Sequence, residues 1–138
     1  MNQFSKLENQ IQQLNKKFDI NNINNQQELK GIKNGFNWRY VGQVVNGLRE
    51  GKGTCYYDNG ERYEGEFKND KKEGKGIEYY NNGDRYEGDW RNGKREGKGI
   101  YYYHSGDREM GDFYSDNRIG KHVTLTINGD IKINNYKV

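Results

Sequence analysis

One block of residues returns every 23 positions, and that return restricts the fold more than any other feature. Tyr40-Val-Gly-Gln-Val, Tyr63-Glu-Gly-Glu-Phe and Tyr86-Glu-Gly-Asp-Trp open three copies, and Glu50-Gly-Lys-Gly, Glu73-Gly-Lys-Gly and Glu96-Gly-Lys-Gly continue them. A unit this short has too little core to fold alone. It buries its apolar face against its neighbours, so a fixed short period predicts a stacked array. Such an array offers a surface for binding and no pocket for chemistry.

Turn dipeptides give the local structure. Asn-Gly stands at 34–35, 46–47, 59–60, 82–83, 92–93 and 128–129, with Ser105-Gly106 where another is due. Asn-Gly between alternating segments favours tight hairpins, because both central residues tolerate positive φ. The expected fold is all-β: a single elongated antiparallel meander of hairpins, two strands per repeat, preceded by a short N-terminal α-helix.

Side-chain alternation sorts the faces. Tyr40, Gly42 and Val44 share one side of their strand, as do Tyr63, Gly65 and Phe67, and Tyr86, Gly88 and Trp90. Glycine inside a strand costs about 0.5–1 kcal/mol relative to alanine. Burying a large ring contributes about 1.5–3 kcal/mol. The ring therefore wins if the glycine makes room for it, and rings from one hairpin are expected to lie over bare backbone in the next. In the returning strands the tyrosines come in adjacent pairs that point opposite ways. One set packs the ribbon. The other, assigned to Tyr57, Tyr80 and Tyr103, faces outward for partner proteins.

At the N-terminus the pattern is helical. Phe4, Leu7, Ile11, Leu14 and Phe18 alternate steps of three and four, the seam of a coiled coil or of a docking helix. Two heptads are too short to hold a helix alone, so this stripe calls for another protein or a second copy in a homodimer. The division expected is helix over 1–19, polar linker over 20–29 and sheet over 30–138.

The tyrosine, glycine and turn pattern resembles the MORN repeat. The matching copies are 40–62, 63–85 and 86–108, with a degenerate copy over 109–131 that has Glu109 for the opening tyrosine and His122 for a glycine. Ile119, Val123, Leu125, Ile127, Ile131 and Ile133 read as an aliphatic closing end. The resemblance implies a β-hairpin ribbon and a scaffold role in larger assemblies, often of the cilium or cytoskeleton.

Hairpin tips carry Arg49, Lys71, Lys72, Lys94 and Arg95 along one edge, with acidic residues along the other. This edge supports a second reading: a peripheral adaptor on anionic phospholipid. Net charge is only +3, from 23 basic and 20 acidic residues, so nucleic acid is not the expected partner.

No catalytic set, metal site or cofactor site emerges. Gly47 to Thr54 lacks phosphate-loop spacing and recurs in each unit, unlike a nucleotide site. His104 and His122 stand alone and read as surface or turn residues. Cys55 is the only cysteine and reads as a half-buried structural thiol. Glu50, Glu73 and Glu96 are expected to pair with Lys52, Lys75 and Lys98. The chain reads as non-enzymatic. With no apolar span and no secretory signal in the sequence, it reads as cytoplasmic.

Overall fold

The computed structural model describes residues 3–24 and 26–138, with side chains over 3–13 and 26–138. A helix, α1 (Gln3–Asn24), precedes ten strands: β1 (Gln26–Lys33), β2 (Phe36–Val45), β3 (Leu48–Tyr57), β4 (Arg62–Lys68), β5 (Lys71–Tyr79), β6 (Arg85–Arg91), β7 (Lys94–Tyr102), β8 (Arg108–Tyr114), β9 (Asn117–Leu125) and β10 (Ile131–Tyr136). They form one antiparallel sheet in strict sequence order, not closed into a barrel.

The Asn/Gln-rich segment expected as a linker over 20–29 is divided: residues 20–24 belong to the end of α1 and residues 26–29 to the start of β1. It holds no turn dipeptide, and β1 pairs with β2 along its whole length, setting Leu29 opposite Tyr40. Leu29 then packs against the buried core.

Two kinds of turn alternate. On one edge, Asn46-Gly47, Asn69-Asp70, Asn92-Gly93 and Ser115-Asp116 have positive φ at both residues, as does Asn34-Gly35 at the first hairpin. These are the tight turns expected. On the other edge, which also holds Asn34-Gly35, the remaining turns have positive φ only at Gly60, Gly83, Gly106 and Gly129, in wider loops closed by bonds such as Tyr57 N–H to the Glu61 carbonyl at 2.9 Å. One dipeptide thus serves two geometries.

The core lies on one face of the sheet, here termed the ring face. Tyr40, Tyr63 and Tyr86 are wholly buried there, together with Cys55, Phe67, Trp90 and Phe113. The Tyr63 ring leans across its hairpin onto Gly76, where an added Cβ would collide with ring carbons and hydroxyl; Tyr40 covers Gly53 and Tyr86 covers Gly99 in the same way. The facing glycines Gly65 and Gly76 are register partners, so ring and bare backbone belong to a single hairpin and not, as expected, to successive ones. The tyrosine hydroxyls donate to the Gln43, Glu66 and Asp89 carbonyls at 2.7, 2.9 and 3.0 Å.

Adjacent hairpins are joined by rings meeting edge to face. The series runs Tyr40, Phe67, Tyr63, Trp90, Tyr86, Phe113, His122, Tyr136, with centroid separations from 4.9 to 5.4 Å. Each such pair adds about 0.5–1.5 kcal/mol beyond burial. The degenerate repeat keeps the series by exchange. Glu109 has replaced the tyrosine, and the imidazole of His122, sent from the opposite strand, lies over Gly111 instead. His122 is therefore fully buried, and not the surface residue its isolation in the sequence suggested.

The Glu-Gly-Lys-Gly signature can be read residue by residue. Glu50, Glu73 and Glu96 accept hydrogen bonds from the turn amides of Asn69, Asn92 and Ser115 in the following repeat. The first glycines, Gly51, Gly74 and Gly97, sit at positive φ where a bulge shifts the register. The next amide, in Lys75, donates to the Glu66 carboxylate at 2.9 Å. The last glycine lies beneath the ring. The expected pairing of these glutamates with Lys52, Lys75 and Lys98 is not what forms. Lys75 and Lys98 instead pair with Asp89 and Asp112 on the facing strand.

Candidate interaction surface

Since Cys55 faces Tyr63 in register, Tyr57, two residues on, shares the ring face. So do Tyr80 and Tyr103. These three are half-buried rather than turned outward. Tyr57 and Tyr80 pack against the core, and the Tyr103 hydroxyl donates to Glu109 at 2.6 Å. The tyrosines of the opposite face are Tyr56, Tyr79 and Tyr102, each beneath a guanidinium: Arg39, Arg62 and Arg85 lie 4.7, 4.1 and 3.9 Å from the ring centres. Parity alone could have placed both sets once the register of the hairpin was known.

The basic row divides as well. Arg49 folds onto the ring face between Trp38 and Phe67, at 4.2 and 4.9 Å, and its Nε donates to Asp70 at 2.7 Å. Lys72 lies over Tyr63 and Trp90 and donates to the buried Glu78 at 2.8 Å. Arg95 covers Phe113 at 4.9 Å and pairs with Asp116. Such cation–ring contacts contribute about 0.5–2 kcal/mol as water is excluded. Only Lys71 and Lys94 of the five predicted tip residues remain exposed, and Lys68 and Arg91 stand exposed opposite them. Asp70 and Asp116 hold positive φ, and their carboxylates are what anchor Arg49 and Arg95.

Of the stripe on α1, Phe4, Leu7 and Ile11 are exposed; Leu14 and Phe18 lie outside the described side chains. The chief contact of α1 with the sheet is to β1.

Two buried carboxylates are tuned in opposite directions. Burial drives Glu78 above its usual pKa, and Lys72 offsets this only in part. Burial also opposes ionisation of Glu109, but the Tyr103 hydroxyl, Arg118 and His122 outweigh it and hold Glu109 below the usual range. Arg118 Nε donates to Glu109 at 2.8 Å, and His122 Nδ1 lies 2.7 Å from the same oxygen. His122 Nε2 is 2.8 Å from the Asp112 carbonyl, which can only accept, so that nitrogen carries a proton. Burial raises Tyr40 to about 12, and it also pushes up the fully buried Cys55 thiol.

No group of three metal-ligating side chains occurs among the described residues. His104 sits in a turn, its amide held by Asp84. The grooves of the sheet are open to solvent and lined by repeat positions such as Lys52, Glu64, Gly65 and Glu66.

The sequence model of the MORN repeat matches residues 40–62, 63–85 and 86–108, half of the chain. The chain belongs to the MORN repeat family. MORN repeats are generally modules for contact with proteins or membranes, and MORN proteins are typically non-enzymatic repeat scaffolds. Comparison with curated proteins finds no match. Among the described residues no helix is long and apolar enough to cross a membrane.

The degenerate MORN repeat gives a test in acid. A carboxylate depressed in the folded state stabilises above its unfolded pKa, and that stability is lost as pH falls through the folded value. Glu109→Gln should cost about 3 kcal/mol at pH 7, because it strands Arg118 in a half-buried site. It should also flatten the loss of stability below the usual carboxylate range. Urea melts at several pH values read both effects.

Proposed function

We propose that this chain is a non-enzymatic scaffold subunit that holds partner proteins along the ring face of its MORN sheet and through α1. The reading is supported most by one observation. Tyr57, Tyr80 and Tyr103 form a row of half-exposed tyrosines, one per repeat, beside a rigid core. An elongated partner laid across the strands meets the same contact three times, and tyrosine binds at low cost in side-chain entropy. The cytoplasm, at a cytoskeletal or ciliary assembly, is the proposed setting. Cross-linking mass spectrometry in native extract should tie a discrete partner to Lys33 and Lys132, the exposed lysines of this face. The combined Tyr57→Ala and Tyr80→Ala variant should lose that link while remaining folded by circular dichroism. A wild-type chain with no protein cross-linked to this face contradicts the proposal.

A second reading has its own support. Lys68, Lys71, Arg91 and Lys94 are exposed along one edge, beside exposed Val45, Leu48 and Tyr114. Cations mixed with apolar tips suit an anionic lipid surface, at about 1 kcal/mol per basic residue. Lys71→Ser with Lys94→Ser should then weaken pelleting with phosphatidylserine vesicles about thirtyfold at low salt. Equal pelleting with neutral vesicles, or none with either, excludes this role.

A further inference from the structure

Among the described residues, two exposed apolar surfaces stand at opposite ends of the ribbon. One is the α1 stripe, where Phe4, Leu7 and Ile11 are 70%, 54% and 49% exposed. The other lies over β8–β10 on the face opposite the rings. Through most of that face the central row alternates charged and apolar residues. Glu64 stands between Thr54 and Ile77, and Glu87 between Ile77 and Ile100. The next charge is replaced by Met110, 46% exposed, between Ile100 and Val123, and Ile133 follows at 55%. The adjacent row alternates arginine with tyrosine until Arg108 meets Leu125 and then Ile131, 69% exposed. These aliphatics read from sequence as a closing end. In the structure they close nothing.

We infer that this patch receives α1 of a second copy of the chain, so that copies add head to tail. The inference deepens the scaffold role and rests on α1 being a docking element. Shape favours this occupant, because an apolar helix stripe is a common cover for an apolar sheet face. Reach keeps the chain's own helix from covering the patch, because Ile11 and Leu7 fall short of it. α1 ends at Asn24 and β1 begins at Gln26, so Ile11 and Phe4 lie about 20 and 30 Å from that anchor along the helix. At about 4.8 Å per strand, β8 to β10 lie about 34–43 Å from β1. Charge agrees as well. Arg108 and Lys121 rim the patch with no ion pair among the described residues, and Glu8 flanks the stripe beside Leu7. A contact between unlike surfaces continues into rings or filaments.

Sedimentation velocity on the full chain over a range of concentrations tests this, with single substitutions at exposed positions. Wild type should form oligomers that grow with concentration. Leu7→Asp and Met110→Asp should each remain monomeric, with unchanged circular dichroism and melting. Mixed together, they should form a one-to-one dimer, since each retains the surface the other has lost. Self-association of Leu7→Asp alone would show that patch meets patch. Self-association of Met110→Asp alone would show that helix meets helix. Either overturns the inference, as does a wild type that is monomeric at every concentration. A monomer that still cross-links to a different protein would overturn the inference alone and leave the scaffold role standing.

Discussion

The structure depends on an aromatic ring resting on backbone that has no side chain. In each of the three full repeats a tyrosine crosses its own hairpin to cover the glycine of the facing strand, and its hydroxyl ties down a carbonyl three residues on. A single sheet has no second layer to pack against. This arrangement supplies one from within, because the rings lie flat and meet neighbouring rings edge to face. The degenerate repeat shows what is constrained. Its tyrosine and its glycine have exchanged roles, with His122 providing the ring and Gly111 the bare backbone, and the ring series continues unbroken to Tyr136.

A second constraint links the repeats through their polar groups. Glutamates at 50, 73 and 96 satisfy turn amides in the following unit, and Arg49 and Arg95 reach forward to Asp70 and Asp116. Each repeat therefore completes its neighbour's turn. Stability should be shared along the array, as expected of a quasi-one-dimensional fold.

The repeat length, the hairpins and the need for bare backbone beneath a ring were legible from the sequence, because period and alternation are local properties; which glycine lies beneath was not, since each tyrosine covers the facing strand of its own hairpin and not the next hairpin. The strand that follows the helix was not, since Gln26 to Leu29 becomes a strand only by pairing with β2. The surface was harder to read for a related reason. Whether Tyr57 or Tyr56 points outward depends on which residue of β4 faces Cys55, and only the register supplies that. Arg49, Lys72 and Arg95 looked like solvated tips, yet rings on the neighbouring strands draw them inward. His122 was misjudged because its partners, Glu109 and Gly111, lie on another strand.

A double-mutant cycle on Tyr63 and Gly76, followed by urea unfolding, tests the ring–glycine contact most directly. With Tyr63 in place, Gly76→Ala should cost about 1–3 kcal/mol, because the new methyl meets the ring. In a Tyr63→Ala background the same change should be nearly neutral or stabilising, giving a coupling of at least about 1 kcal/mol. Equal costs of Gly76→Ala in both backgrounds would contradict the account, since the glycine would then serve the backbone alone.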